Sequence, residues 1–513
     1  MKPIATISLC CLITFISNAQ QINVKLSNEA AGKPVWGNTV KAGNKYIHYN
    51  EIGSRDHLQY GFGWNKVRLG LELVQYDANM QELKKLSLGE GKRIYGPFLT
   101  GIRNINGNVY VIYHEIKPKN MIGNIMAVKI NPETLETETP KVIANISDAD
   151  YDLKFSESLQ YDLKFYLSCS PDQKKTVLLL TAGGNQFFMS VLDSNLNVIR
   201  GKKETFAETG SFEYKSVCVD NAGNAYLSYK IYNTETEKSN TKSRLAVYRI
   251  SGKATDLVLN MDVATSKHIV ILPSAYNNQV HIAGSYMENS DAKYLRGVFY
   301  AVVNPANTKA INVRKIPFPD TLVQQFANDG WGSTKTKNFG LDMGIVPQLY
   351  EKEDGTISMT AEFRRREAGT KTIFDVSGDI LSVGFSKTAA SFSRIPKYRV
   401  SAGSTIGDSY YAIPCKDKML IFYDDNEDNL KKSISASPDN SNVYKNSVLL
   451  AAVVDSAGKV NRQLVLDAQK ENYLALTEYI YLLEPGRMLL PLQKIKSLGG
   501  AADNMKWATI EVF

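Results

Sequence analysis

Three sets of residues in this 513-residue chain have types and spacings that could do chemistry. The first is acidic: Asp148-Ala149-Asp150-Tyr151-Asp152 and Asp424-Asp425-Asn426-Glu427-Asp428 place oxygen ligands at alternate positions, as a Ca²⁺ loop begins. Neither run continues as such a loop must, because the residue where a bidentate Glu is needed is Leu159 in one and Ser435 in the other. Asp148, Asp150, Asp152, Asp424, Asn426 and Asp428 are therefore read as solvated loop acids, with a structural Ca²⁺ as the alternative and no other cofactor expected. Zinc is excluded for want of His and Cys clusters.

The second set is aromatic. Tyr60-Gly61-Phe62-Gly63-Trp64 and Asp329-Gly330-Trp331-Gly332 flank an indole with glycines, which removes neighbouring bulk and can offer a flat face to a sugar ring or a peptide side chain. The competing reading is that each Trp folds back and pins its own loop. Residues 320–327, just before Trp331, read as a short capped helix that would stiffen that loop. The third set lies at strand ends: Glu51, His114 with Glu115, Lys230, Glu288, Glu362 and Asp424. Paired carboxylates there could do acid and base work on a glycan, although charge at strand ends also follows from solvation alone. Trp64, Trp331, Tyr60, Glu51, His114 and Glu115 are the binding candidates, and no catalytic set is assigned.

These residues depend for their placement on a repeated unit. Gly43-Asn44-Lys45-Tyr46-Ile47-His48-Tyr49 returns as Gly107-Asn108-Val109-Tyr110-Val111-Ile112-Tyr113 and as Gly223-Asn224-Ala225-Tyr226-Leu227-Ser228-Tyr229. Such self-similarity means one supersecondary unit, copied and stacked. Each unit reads as four strands, A to D, with A-to-B turns near Gly43, Gly107, Asp172, Gly223, Asn277, Asp354, Asp417 and Gly486. C-to-D turns fall near Asp77, Pro132, Ser194, Gly252, Pro305, Lys387 and Ser456, one fewer than the first set. The last unit thus lacks a D strand, and Ile22-Asn23-Val24-Lys25-Leu26 is a short alternating strand without a partner in its own unit. Pairing the two closes a ring and leaves few exposed edges. Runs such as Thr176-Val177-Leu178-Leu179-Leu180 are apolar on both faces, as a sheet packed between two others requires.

With these repeats the chain resembles the β-propeller superfamily over residues 20–513. Ser170-Pro171-Asp172-Gln173 is similar to the Ser-Pro-Asp-Gly motif of TolB-like and dipeptidyl-peptidase-like propellers, with Gln173 in place of Gly. Asp220-Asn221-Ala222-Gly223-Asn224-Ala225-Tyr226 looks like a turn of other exported bacterial propellers. The resemblance implies an all-β, single propeller of four-stranded blades, eight in number with seven as the alternative. It carries over no active site. No Gly-x-Ser-x-Gly elbow of a companion hydrolase domain is present, nor the Trp-rich repeats of quinoprotein dehydrogenases.

Residues 1–19 have the pattern of a signal peptide, with Lys2, an apolar stretch from Ile4 to Ile16 and Ser17-Asn18-Ala19 before the expected cleavage at Gln20. An exported protein of the periplasm or the cell exterior follows. No later apolar run approaches the roughly 18 residues of a membrane helix. Cys169, Cys218 and Cys415 are too few and too widely spaced for a disulfide framework and read as small strand residues. The net charge of +8 is spread over Lys-rich loops, which argues against a nucleic-acid partner. The expectation is a non-catalytic binding or scaffolding propeller that engages an envelope protein or glycan through its long-loop face. A glycan hydrolase or lyase with carboxylates at the channel mouth is the alternative.

Overall fold

The computed structural model describes residues 22–31, 39–52, 70–88, 101–116, 123–145, 164–181, 186–205, 211–232, 242–248, 254–256, 266–289, 292–305, 313–336, 339–342, 344–368, 373–402, 410–439, 441–442, 446–495 and 501–513. Among the described residues, seven blades are each built on a four-strand antiparallel meander from one run of chain, and a further sheet closes the ring. The first blade shows the pattern: strand A (Thr39–Ala42), B (Lys45–Ile52), C (Gly70–Tyr76) and D (Glu82–Leu88). The closing blade has strand A at Tyr481–Glu484, B at Arg487–Ile495 and C at Ala501–Val512, and its outer strand is Ile22–Leu26 from the other end of the chain. Ile22 pairs with Val512 and Leu26 with Ala508 in unbroken antiparallel register. The closure expected from the missing turn is present. By continuous stretches of chain the count is seven, and with the closing blade it is eight.

Apolar clusters lie in the seams between successive blades. B strands such as Lys175–Thr181 are buried almost throughout because a neighbour covers each face, whereas outer strands such as Glu82–Leu88 are mostly exposed. The A-to-B and C-to-D turns gather on one end of the ring, and the B-to-C and D-to-A connections leave at the other.

The C-to-D turns share a device that positive φ reveals. Asp77 Oδ1 accepts from the backbone N–H groups of Asn79 and Gln81, both at 2.8 Å, and Asp193 Oδ1 accepts from Asn195 and Asn197, both at 2.8 Å. Within these turns Met80 (φ 61°) and Leu196 (φ 57°) are left-handed, an uncommon state for a residue with a side chain. Each is buried in the seam ahead of its own blade: Met80 beside Leu489 and Trp507 of the closing blade, and Leu196 beside Ile105 and Ile112 of the second. Burial of the apolar plug offsets the local strain.

The sixth blade departs from the pattern. Its B strand (Ile357–Ala368) has 12 residues and its C strand (Ile373–Phe385) 13, against 7 to 9 in the other B strands. The hairpin they form reaches past the ring on the long-loop side. There it adds Arg399–Ala402 antiparallel to the C strand, and Ser441–Asn442, from the seventh blade's B-to-C connection, parallel to that.

Candidate functional site

The long-loop side of the sixth and seventh blades holds Glu362 and Asp424, two of the three charges placed at strand ends by the sequence whose side chains are described. Trp331 lies there, but it is not the presented platform that its glycines suggested. Its side chain is fully buried, 5.9 Å from the Phe363 ring and beneath the Arg365 guanidinium at 4.2 Å. Gly378 is what lets it in, since a Cβ at that position would lie 2.1 Å from the indole. The expected helix forms at Asp320–Asn328, begins after Pro319 without a side-chain cap, and buries Leu322, Val323 and Phe326. The backbone N–H of Trp331 donates to the Phe326 carbonyl at 2.9 Å. Helix and indole together pin the loop to the blade.

Asp424, Asn426 and Asp428 do not converge on a cation position. Asp424 is buried and accepts from Arg399 Nη1 at 2.8 Å and from the Thr477 hydroxyl at 2.9 Å. The Asn426 side chain accepts from the backbone N–H of Asp428, capping the short 3-10 helix Glu427–Lys431. The Asp428 carboxylate faces outward to Lys431 at 2.8 Å. The alternation seen in sequence is a strand end followed by a helical turn, so the three side chains take separate directions.

Asp424 sits near a B-strand exit, as expected, whereas Glu362 lies in the middle of the sixth blade's lengthened B strand, and both are buried in ion pairs. Glu362 is shared by Lys397 and by Arg364, whose Nε donates at 2.6 Å. Asp379, fully buried in the C strand, accepts from Arg394 Nε at 2.6 Å and from the Lys397 backbone N–H at 3.0 Å. Arg394 also reaches Asp329 after the helix, and donates from Nη1 to the Ile434 carbonyl at 3.1 Å. Burial pushes Asp379 well above the ordinary carboxylate range and lowers Arg394 to about 10. Burial likewise raises Asp425 to about 7, against donated bonds that include Asn429 Nδ2 at 3.0 Å. Asn429 ties the seventh blade's connection in place, since its side chain also bonds the Asp439 N–H (2.6 Å) and carbonyl (2.9 Å).

This seam was missed in sequence. Its signal is Arg394-Ile395-Pro396-Lys397-Tyr398-Arg399, cations spaced through an apolar frame, together with an Asp inside Val376-Ser377-Gly378-Asp379-Ile380-Leu381. Buried charges this close must be paired. Of the other candidates, Glu288 is exposed near Arg296 at 3.6 Å. Glu51, His114 and Glu115 lie on B strands (Lys45–Ile52 and Asn108–Ile116), and their side chains, with that of Lys230, fall outside the described residues. Tyr60, Trp64, Asp148, Asp150 and Asp152 also fall outside them. His48 and His281 are buried, bonded to Thr39 and Tyr300 respectively, each at 2.8 Å. The three later cysteines are free thiols, with Cys218 buried and Cys169 and Cys415 partly so. Among the described residues no helix is long and apolar enough to cross a membrane, and no group of three or more His, Cys, Asp or Glu is placed to hold a metal ion.

No protein-family model matches the sequence, and no curated protein is similar to it. Among solved structures, polysaccharide lyase Uly1 is similar at 10% identity and a TM-score of 0.39, covering 82% of this chain and 93% of that one. A polysaccharide lyase described as PL25 ulvan lyase follows at 10% identity and 0.38, covering 81% and 94%. A Synechocystis apocarotenoid oxygenase mutant has 9% identity and 0.34, covering 95% and 92%.

Proposed function

We propose that this chain is a non-catalytic binding or scaffolding propeller of the bacterial cell envelope or exterior, which engages a protein or glycan through its long-loop face. One observation supports the reading above others: the long-loop side of the sixth blade is built outward by a longer hairpin, two added strands and a docked helix. An extended and rigidly held surface is what recognition needs. Glu362, Asp379 and Asp424 beneath it are engaged by Arg and Lys, which favours binding over acid and base work by these three. The indole of Trp331 contributes by holding the surface, while Arg366, 76% exposed on the hairpin, stands on it.

The test is a glycan array together with an envelope pull-down on residues 20–513, wild type against a Trp64→Ala, Arg366→Ala variant. Binding that is lost in a variant with an unchanged melting curve places the site on this face. Unchanged binding, or array glycans that are cleaved by the wild type, would replace this reading with the channel mouth or with a glycan hydrolase or lyase.

A further inference from the structure

The seam where the two chain ends meet contains a cavity of about 280 Å³, on the tight-turn side and away from the long-loop face. Lys25 and its strand form one wall, Arg487, Thr509 and Glu511 of the closing blade another, and Asn79 and Met80 of the first blade's C-to-D turn the third. The register sets these groups on one face of the sheet, because Lys25 lies opposite Thr509, and Arg487 opposite Glu511 two residues further along the same strand. Lys25 Nζ donates to the neutral Asn79 Oδ1 at 2.8 Å and has no carboxylate partner among the described residues. Arg487 Nε is buried without a hydrogen-bond partner, and the nearest carboxylate oxygens, on Glu484 and Glu511, stand 3.5 Å from the guanidinium. That is beyond the roughly 2.7–2.9 Å of a charge-assisted bond.

We propose that this cavity is a binding site for a small oxyanion, a phosphate or the carboxylate of a sugar acid, and that its occupant fastens the ring shut. Two cations with unused donor capacity face a space sized for a small ligand, and a hydroxyl and an amide stand beside them. Glu511 and, from outside the lining, Glu484 flank the guanidinium, Glu484 being shared with Lys41, and the lining itself sets Lys25 and Arg487 against Glu511. An anion there bridges the N-terminal strand, the C-terminal blade and the first blade. Among the described residues these three are otherwise joined by backbone pairing, apolar contact and pairwise polar bonds such as Lys25–Asn79 and Lys41–Glu484, and an anion bonded to all three at once binds the closed ring and not the open one. The site is independent of the long-loop reading.

Thermal melting of the purified chain, with inorganic phosphate titrated at constant ionic strength, tests this. Melting temperature is expected to rise with phosphate along a saturable curve. Lys25→Met should weaken the apparent affinity about tenfold, the equivalent of one charge-assisted bond, and Arg487→Gln by at least as much. Lys335→Met, at an exposed cation elsewhere, should change nothing. Galacturonate and galactose in parallel separate a carboxylate ligand from a neutral sugar. Lys25→Met alters only an outward side chain of the closing strand, so it remains informative even if Arg487→Gln fails to fold. A wild type that shows no saturable rise, or a rise that survives Lys25→Met, overturns the proposal.

Discussion

Two seams of the same ring are built on opposite principles. Between the second and third blades the interface is apolar: Leu178 and Leu180 pack with Ile105, Ile112, Ile125 and the Leu196 plug. Between the sixth and seventh, beside an apolar cluster of its own, the interface holds Glu362, Asp379, Arg394, Lys397 and Asp425, all buried, with the buried Arg399–Asp424 pair next to it on the side of the closing blade. Apolar seams hold blades together without direction, and many side-chain combinations would do so equally well. A buried ionic seam gains little net stability over an apolar one, but it tolerates only one arrangement. The contrast indicates that this seam fixes the geometry of the surface above it, where hairpin, helix and the seventh blade's connection meet.

The largest effect should come from breaking a buried pair. Lys397→Met leaves Glu362 buried with only the half-exposed Arg364 as partner, and the loss should be about 3–5 kcal/mol. Removing both charges, as Glu362→Leu with Lys397→Met, should restore most of it, since two apolar groups replace two desolvated ions. Denaturant melts of the two singles and the double give the coupling directly. A double variant as weak as the worse single would show that the seam depends on its charges for stability and not for arrangement. In the apolar seam Leu178→Ala should cost about 2–5 kcal/mol through the cavity it leaves, with no second substitution needed to explain it and the same loss at every pH.

The pH dependence sharpens the comparison further. Asp425 titrates near 7 in the fold against an ordinary 3.8, so its contribution is complete below 3.8 and is lost as pH rises through 7. Lys397 opposes that shift, while Asp379 lies close enough for Asp425 to raise it in turn. Wild-type melting temperature should therefore fall between pH 5 and pH 8 relative to Asp425→Asn, which keeps the shape and removes the proton. Parallel curves for the two proteins would remove Asp425 from the account. Leu178→Ala measured over the same range provides the baseline.

The difference between the seams also explains what could be read in the sequence. Turns at Gly43, Gly107, Gly223 and Gly486 were legible because positive φ demands particular residues, and the closing strand Ile22–Leu26 because an alternating pattern without a partner must pair somewhere. Repetition made each blade evidence for the next. The sixth-blade seam is legible only across long separations: Arg394 meets Asp329 from 65 residues away, and Lys397 meets Glu362 from 35. No local rule marks such pairs. Trp331 stayed open between two readings for a related reason, since its flanking glycines fit a presented indole and a buried one alike, and Gly378, which decides for the buried one, lies on another strand. The left-handed Met80 and Leu196 escaped because turn rules look for Gly and Asn at that position, not for an apolar plug.

The smallest expected effect belongs to the closing blade, where charge is used on the surface and not inside. Beyond Ile22–Leu26, Glu29 accepts from Tyr473, Lys494 and Asn504, and these bonds hold its carboxyl down at about 2. Since the folded value lies below the ordinary 4.5, the contribution is present above 4.5 and lost as pH falls through 2. Solvent screens the group, so Glu29→Gln should lower the melting temperature only slightly at neutral pH and not at all near pH 2. The trend is opposite in sign to that of Asp425: acid loosens the latch at the chain ends while it relieves the sixth-blade seam. Melting the wild type, Glu29→Gln and Asp425→Asn across one pH series separates the two. If Glu29→Gln costs as much as Lys397→Met, the ring is limited by its closure, and the buried seam is the sturdier of the two joints.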